Sequence, residues 1–219
     1  NDSVTEKINT FVVALCDSLN IDSLAQVFDV MYILANGNSE AALRNLVERD
    51  HDATNVSSTS FTAFEGFTGD GTADYLNTNY APYSEAVNFT QNNASIGAYI
   101  RTNVESDTQI DVGVRYMGVD ILIYGDYPSI GSISRVNVES SRIDAATTTS
   151  VGFVMATRNG SAITDQVFYR NKTTPTQSTS GTEATSAIPL GDVFILALNN
   201  GGTAVDFSTR QISLVFAGE

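Results

Sequence analysis

The spacing of hydrophobic positions divides the chain into a helical first part and a strand-rich remainder. Ser3, followed three residues later by Glu6, has the pattern of a capping box at the start of a helix over residues 1–20. Apolar positions recur at helical spacing along this segment and form one stripe on the helix: Val4, Ile8, Phe11, Val12, Leu15 and Leu19. This stripe needs a covering surface, which either the rest of the domain or another copy of the chain would supply.

A short apolar run follows at residues 24–35, where periodicity does not separate a helix from a strand. We favour a buried strand, because residues 27–34 are rich in β-branched and aromatic side chains and end at the turn signal Asn36-Gly37. Residues 39–48 then predict a short helix capped by Ser39. Residues 1–50 are therefore interpreted as a helical lead-in with one possible buried strand, which serves for anchoring or oligomerisation.

After His51 the pattern changes to short strand-like runs separated by turn residues, and this predicts a sandwich or barrel over residues 51–219. Asn159-Gly160 predicts a type I′ hairpin. The alternation from Ile110 to Val114 indicates a strand with one packed and one wet face. Residues 171–189 have few apolar side chains and predict a long loop. The predicted strands are 61–67, 74–77, 95–102, 109–116, 120–124, 132–137, 149–158, 165–169, 192–197 and 211–217.

Charge and apolar length exclude two classes of partner. The chain carries 11 basic and 25 acidic residues, a net charge of −14, so its surface repels phosphate and no nucleic-acid partner is expected. Its longest apolar stretch, Val27 to Ala35, is interrupted by Asp29 and is far shorter than the roughly 20 residues of a membrane-spanning helix. No membrane insertion is expected.

Few residues offer catalytic chemistry or metal ligation. The single cysteine, Cys16, forms no intrachain disulfide and is interpreted as a small core residue. The single histidine, His51, has no nucleophile-elbow motif to serve. Asp70 and Asp74 flank a glycine turn and are too few for calcium, which takes six to eight oxygens. We therefore expect no catalytic residue, no cofactor and no metal.

Carboxylates are the remaining catalytic option, because glycosidases use two of them. The nearest match to the Glu-x-Asp-x-Glu strand of sandwich-type glucanases is Glu105-Ser-Asp107-Thr-Gln109, in which the last acid is an amide. We interpret Glu105 and Asp107 as turn residues. A glycoside hydrolase or lyase on the same fold remains a third alternative.

Three tyrosines in loop-like stretches, Tyr80, Tyr83 and Tyr127, are the candidate ligand-binding residues. An exposed tyrosine ring stacks on the apolar face of a sugar while its hydroxyl stays in water. The alternative is that these rings pack over the edge of the sandwich.

The stretch Phe61–Tyr80, with sequence FTAFEGFTGDGTADYLNTNY, resembles a segment of tailed-bacteriophage virion proteins. Residues 92–101 and 208–218 are similar to later strands of the same pattern, and 29–35 and 41–46 to its lead-in. Such proteins carry a concanavalin A-like, laminin-G-like domain. The resemblance implies a mainly β fold, an antiparallel jelly-roll sandwich with a short N-terminal helical segment.

The same resemblance implies a non-enzymatic structural protein of the virion: a head fibre, a capsid decoration or a tail component. It would assemble in the host bacterial cytoplasm with other virion proteins, as a homo-oligomer, and its surface would contact host glycans. The alternative is a free secreted carbohydrate-binding module or adhesin.

Overall fold

A computed structural model describes residues 2–219; Asn1, the first residue of the predicted helix, and the side chain of Asp2 lie outside the description. Within the described range, two β-sheets pack against each other and one long helix lies on the outside. The predicted antiparallel sandwich with a short N-terminal helix is confirmed. The helices are α1 (Asp2–Leu19), α2 (Ser39–Ala42), α3 (Pro82–Glu85) and the 3₁₀ turns Leu24–Gln26 and Ile163–Asp165.

The first sheet has seven strands in the described chain. Its order is β12-β11-β6-β17-β4-β3, and β1 pairs with β17 on the same side as β4. All of its pairs are antiparallel. The strands are β1 (Phe28–Ile33), β3 (Ser60–Thr62), β4 (Gly66–Thr68), β6 (Asn93–Ile100), β11 (Gly152–Asn159), β12 (Gln166–Arg170) and β17 (Gln211–Gly218).

The second sheet has ten strands in the same range, in the order β13-β10-β9-β8-β7-β14-β5-β2. The short hairpin β15–β16 joins it through β15, which runs parallel to β7. The strands are β2 (Thr54–Val56), β5 (Tyr75–Asn77), β7 (Val112–Tyr116), β8 (Val119–Tyr127), β9 (Gly131–Val138), β10 (Arg142–Ala145), β13 (Gln177–Ser180), β14 (Phe194–Ile195), β15 (Leu198–Asn200) and β16 (Thr203–Val205).

The main core lies between the two sheets. Fully buried side chains such as Ile96, Ile121, Phe168 and Ile212 come from strands of both layers. Burial alternates residue by residue along β11 and β12, as expected for strands with one covered face. In β8 nearly every residue is buried, because Leu122 on its outer face packs against Leu198 of β15.

The predicted strand in residues 24–35 is present as β1, which pairs with β17 from Phe28 to Ile33. Residues 28–33 are therefore part of the sandwich rather than of a separate lead-in. Helix α1 covers the outer face of this pair, where Val12 and Leu15 pack with Met31 and Phe216. Cys16 is half-buried in the same cluster. No helix in the described part of the chain is long and apolar enough to cross a membrane.

Two predicted helix caps are wrong. Ser3 lies inside α1, since the helix already includes Asp2, so Ser3 is not its N-cap. The second helix ends at Ala42 instead of reaching residue 48, and its cap is Asn38 rather than Ser39. The Asn38 side chain accepts hydrogen bonds from the backbone N–H groups of Glu40 and Ala41, which is the ordinary role of an N-cap.

Several turns also differ from the prediction. Strand β11 ends at Asn159 and β12 begins only at Gln166, so Asn159-Gly160 does not form a two-residue hairpin. The predicted strand 61–67 is two paired strands, β3 and β4, separated by Phe64 at φ +63°. The predicted loop 171–189 contains β13, which pairs with β10. Pairing with a neighbour makes this polar segment a strand, although it has no apolar face of its own.

Candidate functional site

The three candidate tyrosines lie in different environments and do not form one site. Tyr80 is fully buried and its hydroxyl donates a 2.9 Å hydrogen bond to Asp29 Oδ2, so it presents no ring face to a ligand. Burial, together with the negative charge of Asp29, raises the pKa of Tyr80. Tyr83, in α3, is 61% exposed and does not line the cavity that contains Tyr127. Only Tyr127 lines a cavity of useful size.

That cavity, called here the loop-end groove, has a volume of about 800 Å³. It lies where the β6–β7, β8–β9 and β10–β11 connections meet at one end of the sandwich. Loops clustered at one end of a sandwich are a common place for binding sites, since the sheets hold them in fixed positions. The polar and aromatic side chains of its wall include Asn103, Glu105, Asp126, Tyr127, Thr147 and Thr148.

A β-bulge brings Asp126 and Tyr127 into the groove. The pairing of β8 with β9 shifts by one residue between Tyr124 and Tyr127, so that Gly125 and Asp126 lie in the bulge. A Cβ at Gly125 would lie 2.7 Å from a carboxylate oxygen of Asp111 and 2.8 Å from Ile100 Cδ1, so only glycine fits there. A bulge bends its strand and redirects the side chains next to it. Here the redirected side chain is a carboxylate.

Arg210 holds the walls of the groove from behind. It is fully buried, and its Nη1 lies 3.1 Å from Asp111 Oδ1 in an ion pair that is also fully buried. The same guanidinium donates hydrogen bonds to the backbone carbonyls of Val104 and Asp126, at 2.9 and 3.1 Å. Because these two residues adjoin Glu105 and Tyr127, the hydrogen bonds from Arg210 fix the backbone of both walls.

Ser150 fixes the rim in a similar way. Its buried hydroxyl donates to the carbonyl of Thr102 at 2.9 Å and accepts from the backbone N–H of Val104 at 3.0 Å. Its own N–H donates to Asn103 Oδ1 at 2.8 Å. The first connection of the groove is therefore bound to the third, and the cavity is preformed.

Asp126 is the most unusual side chain of the groove. The residue is 5% exposed, yet its carboxylate takes part in no hydrogen bond or ion pair with the rest of the described chain; only its backbone carbonyl is bonded. Burial raises the pKa of Asp126, and the negative charge of Glu105 raises it further, against the opposing effect of Arg210 and Arg170. The site thus holds two carboxylates, one buried and one exposed on the rim.

The sequence pattern predicts a turn residue at Glu105, with a catalytic role only as a third alternative, and gives no role to Asp126. Glu105 lies in the groove, whereas its predicted companion Asp107 is exposed and does not line it. Asp126 follows a glycine within a strand-like run, and no local pattern distinguishes it from a turn residue. Its role depends on the bulge and on Arg210, which is distant in sequence.

The other residues that the sequence analysis considered for catalysis or metal binding, His51 and Asp70, take part in local hydrogen bonds that hold the fold together. His51 Nδ1 lies 2.5 Å from the carbonyl oxygen of Asn79, and its ring packs edge-on against Tyr80. Asp70 accepts backbone hydrogen bonds from Thr72, Ala73 and Asp74, which lower its pKa and make it a turn residue as predicted. Across residues 2–219, no three His, Cys, Asp or Glu side chains converge on a position for a metal ion.

No protein-family model and no curated protein matches the sequence. Among solved structures, the fold is similar to domain 4 of AbnA, a GH43 extracellular arabinanase from Geobacillus stearothermophilus, solved in complex with arabinotriose. The match covers 88% of this chain and 93% of that chain, with a TM-score of 0.54 and 10% sequence identity. At this identity the likeness establishes a shared β-sandwich fold.

Proposed function

We propose that the protein is a non-catalytic carbohydrate-binding β-sandwich whose ligand lies in the loop-end groove. The observation that carries the proposal is the groove itself, a preformed cavity that combines the half-buried ring of Tyr127 with the carboxylates of Glu105 and Asp126, which accept no hydrogen bond from the described chain. Sugar sites commonly pair an aromatic platform with hydrogen-bonding side chains, because a sugar has both apolar C–H faces and hydroxyl groups. The fold shared with a domain solved with bound arabinotriose adds support.

The test is binding of neutral oligosaccharides, arabinotriose included, by glycan array and isothermal titration calorimetry. Tyr127→Ala should weaken binding about tenfold, since loss of one stacking contact corresponds to about 1.4 kcal/mol. Tyr83→Ala is the matched control, because it removes an exposed tyrosine outside the groove. Absence of binding to every oligosaccharide would contradict the proposal, as would an equal effect of the two variants.

Release of new reducing ends from a bound oligosaccharide would contradict the non-catalytic part of the proposal. It would favour a glycoside hydrolase that uses Glu105 with Asp126, because paired carboxylates of which one has a raised pKa are typical of such enzymes. The Glu105–Asp107 pair considered from the sequence is less suited to this role, since Asp107 lies outside the groove wall.

A second proposal concerns where the protein works, and it is supported by the resemblance of residues 61–80 to tailed-phage virion proteins. In that setting the chain would stand on a capsid or tail as a homo-oligomer among other virion proteins, and the groove would contact host-surface glycans. Mass spectrometry of purified particles should then find the chain in many copies. Its presence only in the soluble fraction of infected cells, or in a bacterial secretome, would favour a free binding module or adhesin instead.

A further inference from the structure

The starting point is the carboxylate of Asp126. The residue is 95% buried and lines the groove, but no group of the described chain donates a hydrogen bond to its carboxylate. The carboxylate oxygens are not sealed inside the protein but open into the groove, where they can accept hydrogen bonds. The bulge at Gly125 and the hydrogen bond from Arg210 to the Asp126 carbonyl hold the residue in this position. A ligand donor is the natural partner.

The surroundings restrict the chemistry of that donor. An ionised carboxylate only accepts hydrogen bonds, and two oxygens suit two adjacent hydroxyl groups of a sugar. Glu105 adds a second acceptor on the rim, the side-chain NH₂ of Asn103 can donate, and Thr148 can donate or accept. The Thr147 hydroxyl is engaged with the backbone of Thr149. The groove wall contains no Lys or Arg.

The two arginines behind Asp126 do not alter this picture. Arg210 is engaged by Asp111 and by backbone carbonyls, and Arg170 donates to the Val151 carbonyl and to Ser132. Both are buried, so they moderate the charge of Asp126 without facing the ligand. An anionic sugar in the groove would therefore meet two carboxylates and no exposed cation of the wall.

We infer that the loop-end groove binds uncharged oligosaccharides, with Asp126 and Glu105 accepting hydrogen bonds from vicinal hydroxyls, and rejects sugars that carry carboxylate, sulfate or phosphate groups. This inference rests on the proposed carbohydrate binding and adds the class of ligand and the residues that select it. The net charge of −14 acts in the same direction at longer range.

The experiment compares a neutral sugar with its acidic counterpart by calorimetry in low salt. Galactotriose and trigalacturonate form one such pair, and arabinotriose, maltotriose and cellotriose extend the neutral panel. The wild-type protein should bind its best neutral trisaccharide at least 100-fold more tightly than trigalacturonate. Asp126→Asn and Glu105→Gln should each weaken neutral binding about tenfold. Asp107→Asn removes the same charge outside the groove wall and should change affinity less than twofold.

The double variant Asp126→Asn/Glu105→Gln provides a readout that mere loss of structure would not produce. In this variant the ratio of the affinity for a neutral trisaccharide to the affinity for trigalacturonate should fall at least tenfold, because the two carboxylates that repel the acidic sugar are gone. Thermal melting checks that each variant is folded, and Glu105→Gln, at an exposed position, keeps the test informative if Asp126→Asn unfolds.

Three results would overturn the inference without removing the proposed carbohydrate binding. If Tyr127→Ala abolishes neutral binding while Asp126→Asn and Glu105→Gln leave it unchanged, the groove binds sugar but these acids do not select it. If trigalacturonate binds as tightly as neutral trisaccharides, the charge argument is wrong. If binding disappears in EDTA and returns with calcium, the acids hold a cation instead. Failure of every oligosaccharide to bind would remove the proposed function together with the inference.

Discussion

At the scale of single residues, a buried charge shows where the structure differs from what the sequence pattern predicts. Asp111 stands at a polar position between Ile110 and Val112, and this alternation predicted a wet face. The structure buries all of these side chains, because the β15–β16 hairpin covers Ile110 and Arg210 neutralises Asp111. A polar residue at an alternating position is thus not evidence of solvent when a distant residue supplies its counter-charge.

The Asp111–Arg210 pair leads to a stability prediction. Arg210→Met leaves Asp111 as an unpaired buried charge and removes the hydrogen bonds to Val104 and Asp126, so we expect a loss of about 3–5 kcal/mol in the free energy of unfolding. Urea denaturation measures it. The matched control is Arg44→Met, because Arg44 pairs with Asp52 at the surface and should contribute less than about 1 kcal/mol. Equal losses in the two variants would contradict the prediction.

Glu183 makes stability depend on pH. Partial burial opposes its ionisation, but hydrogen bonds from Ser186 and from the backbone N–H groups of residues 139–141 outweigh burial and lower its pKa to about 2. A carboxyl with a lowered folded-state pKa stabilises the fold above its ordinary pKa, and this contribution disappears as pH falls through the folded value.

Glu183→Gln should therefore lower the free energy of unfolding by about 1–2 kcal/mol at neutral pH, after allowance for solvent screening. The difference from wild type should shrink as the pH falls from about 4.5 toward 2. Urea titrations at a series of pH values measure this difference. Glu40→Gln removes a charge from an exposed position as the control, and a pH-independent difference for Glu183→Gln would show that its charge is not the cause.

At the scale of elements, two Gly-containing turns show that the local sequence does not by itself determine whether a tight hairpin forms. Met117-Gly118 forms a two-residue hairpin between β7 and β8, with Tyr116 opposite Val119 and both turn residues at positive φ, +50° and +89°. Asn159-Gly160 has the better sequence for such a turn but does not form it. The hydrogen bond from Gly160 N–H to the Asn92 carbonyl directs that chain away from a tight hairpin.

The Met117 turn predicts a stabilising substitution. Met117 is 85% exposed and adopts a conformation that is unfavourable for most side chains but tolerated by asparagine. Met117→Asn should raise the free energy of unfolding by about 0.5–1 kcal/mol, and Met117→Val should lower it, because a β-branched side chain is strained at positive φ. Chemical denaturation of the three proteins checks the order Asn, Met, Val. Any other order would show that the turn does not control stability here.

At the scale of the whole molecule, helix α1 decides how the protein presents its apolar surface. Its C-terminal half packs on the sandwich through Val12 and Leu15, while Phe11 is 41% exposed beside an open apolar groove of about 530 Å³. Ile8 of the helix and Leu214 of β17 line this groove as well. The sandwich thus covers part of the predicted stripe, and homo-oligomerisation through the rest stays a prediction.

If a second copy covers this groove, Phe11→Glu should convert an oligomer to a monomer in multi-angle light scattering. Val13→Glu is the matched control, because Val13 is an exposed apolar residue of α1 outside this groove. Association should also strengthen with salt, since the net charge of −14 opposes it and salt screens that repulsion. A wild-type protein that is already monomeric at high concentration would rule out the oligomer.

The sequence by itself determined the fold class and the helix α1, because these depend on the local periodicity of apolar residues. It indicated the buried strand β1 through β-branched and aromatic composition and the turn signal that follows. It also predicted Tyr127 as a ligand-binding residue and Glu105 as a turn residue, without reason to place the two together. Only the tertiary structure revealed the loop-end groove, since its walls come from three connections that are far apart in the chain and are fixed by Arg210. The burial of Asp126 likewise depends on a bulge and on long-range packing, neither of which has a period that a single sequence displays.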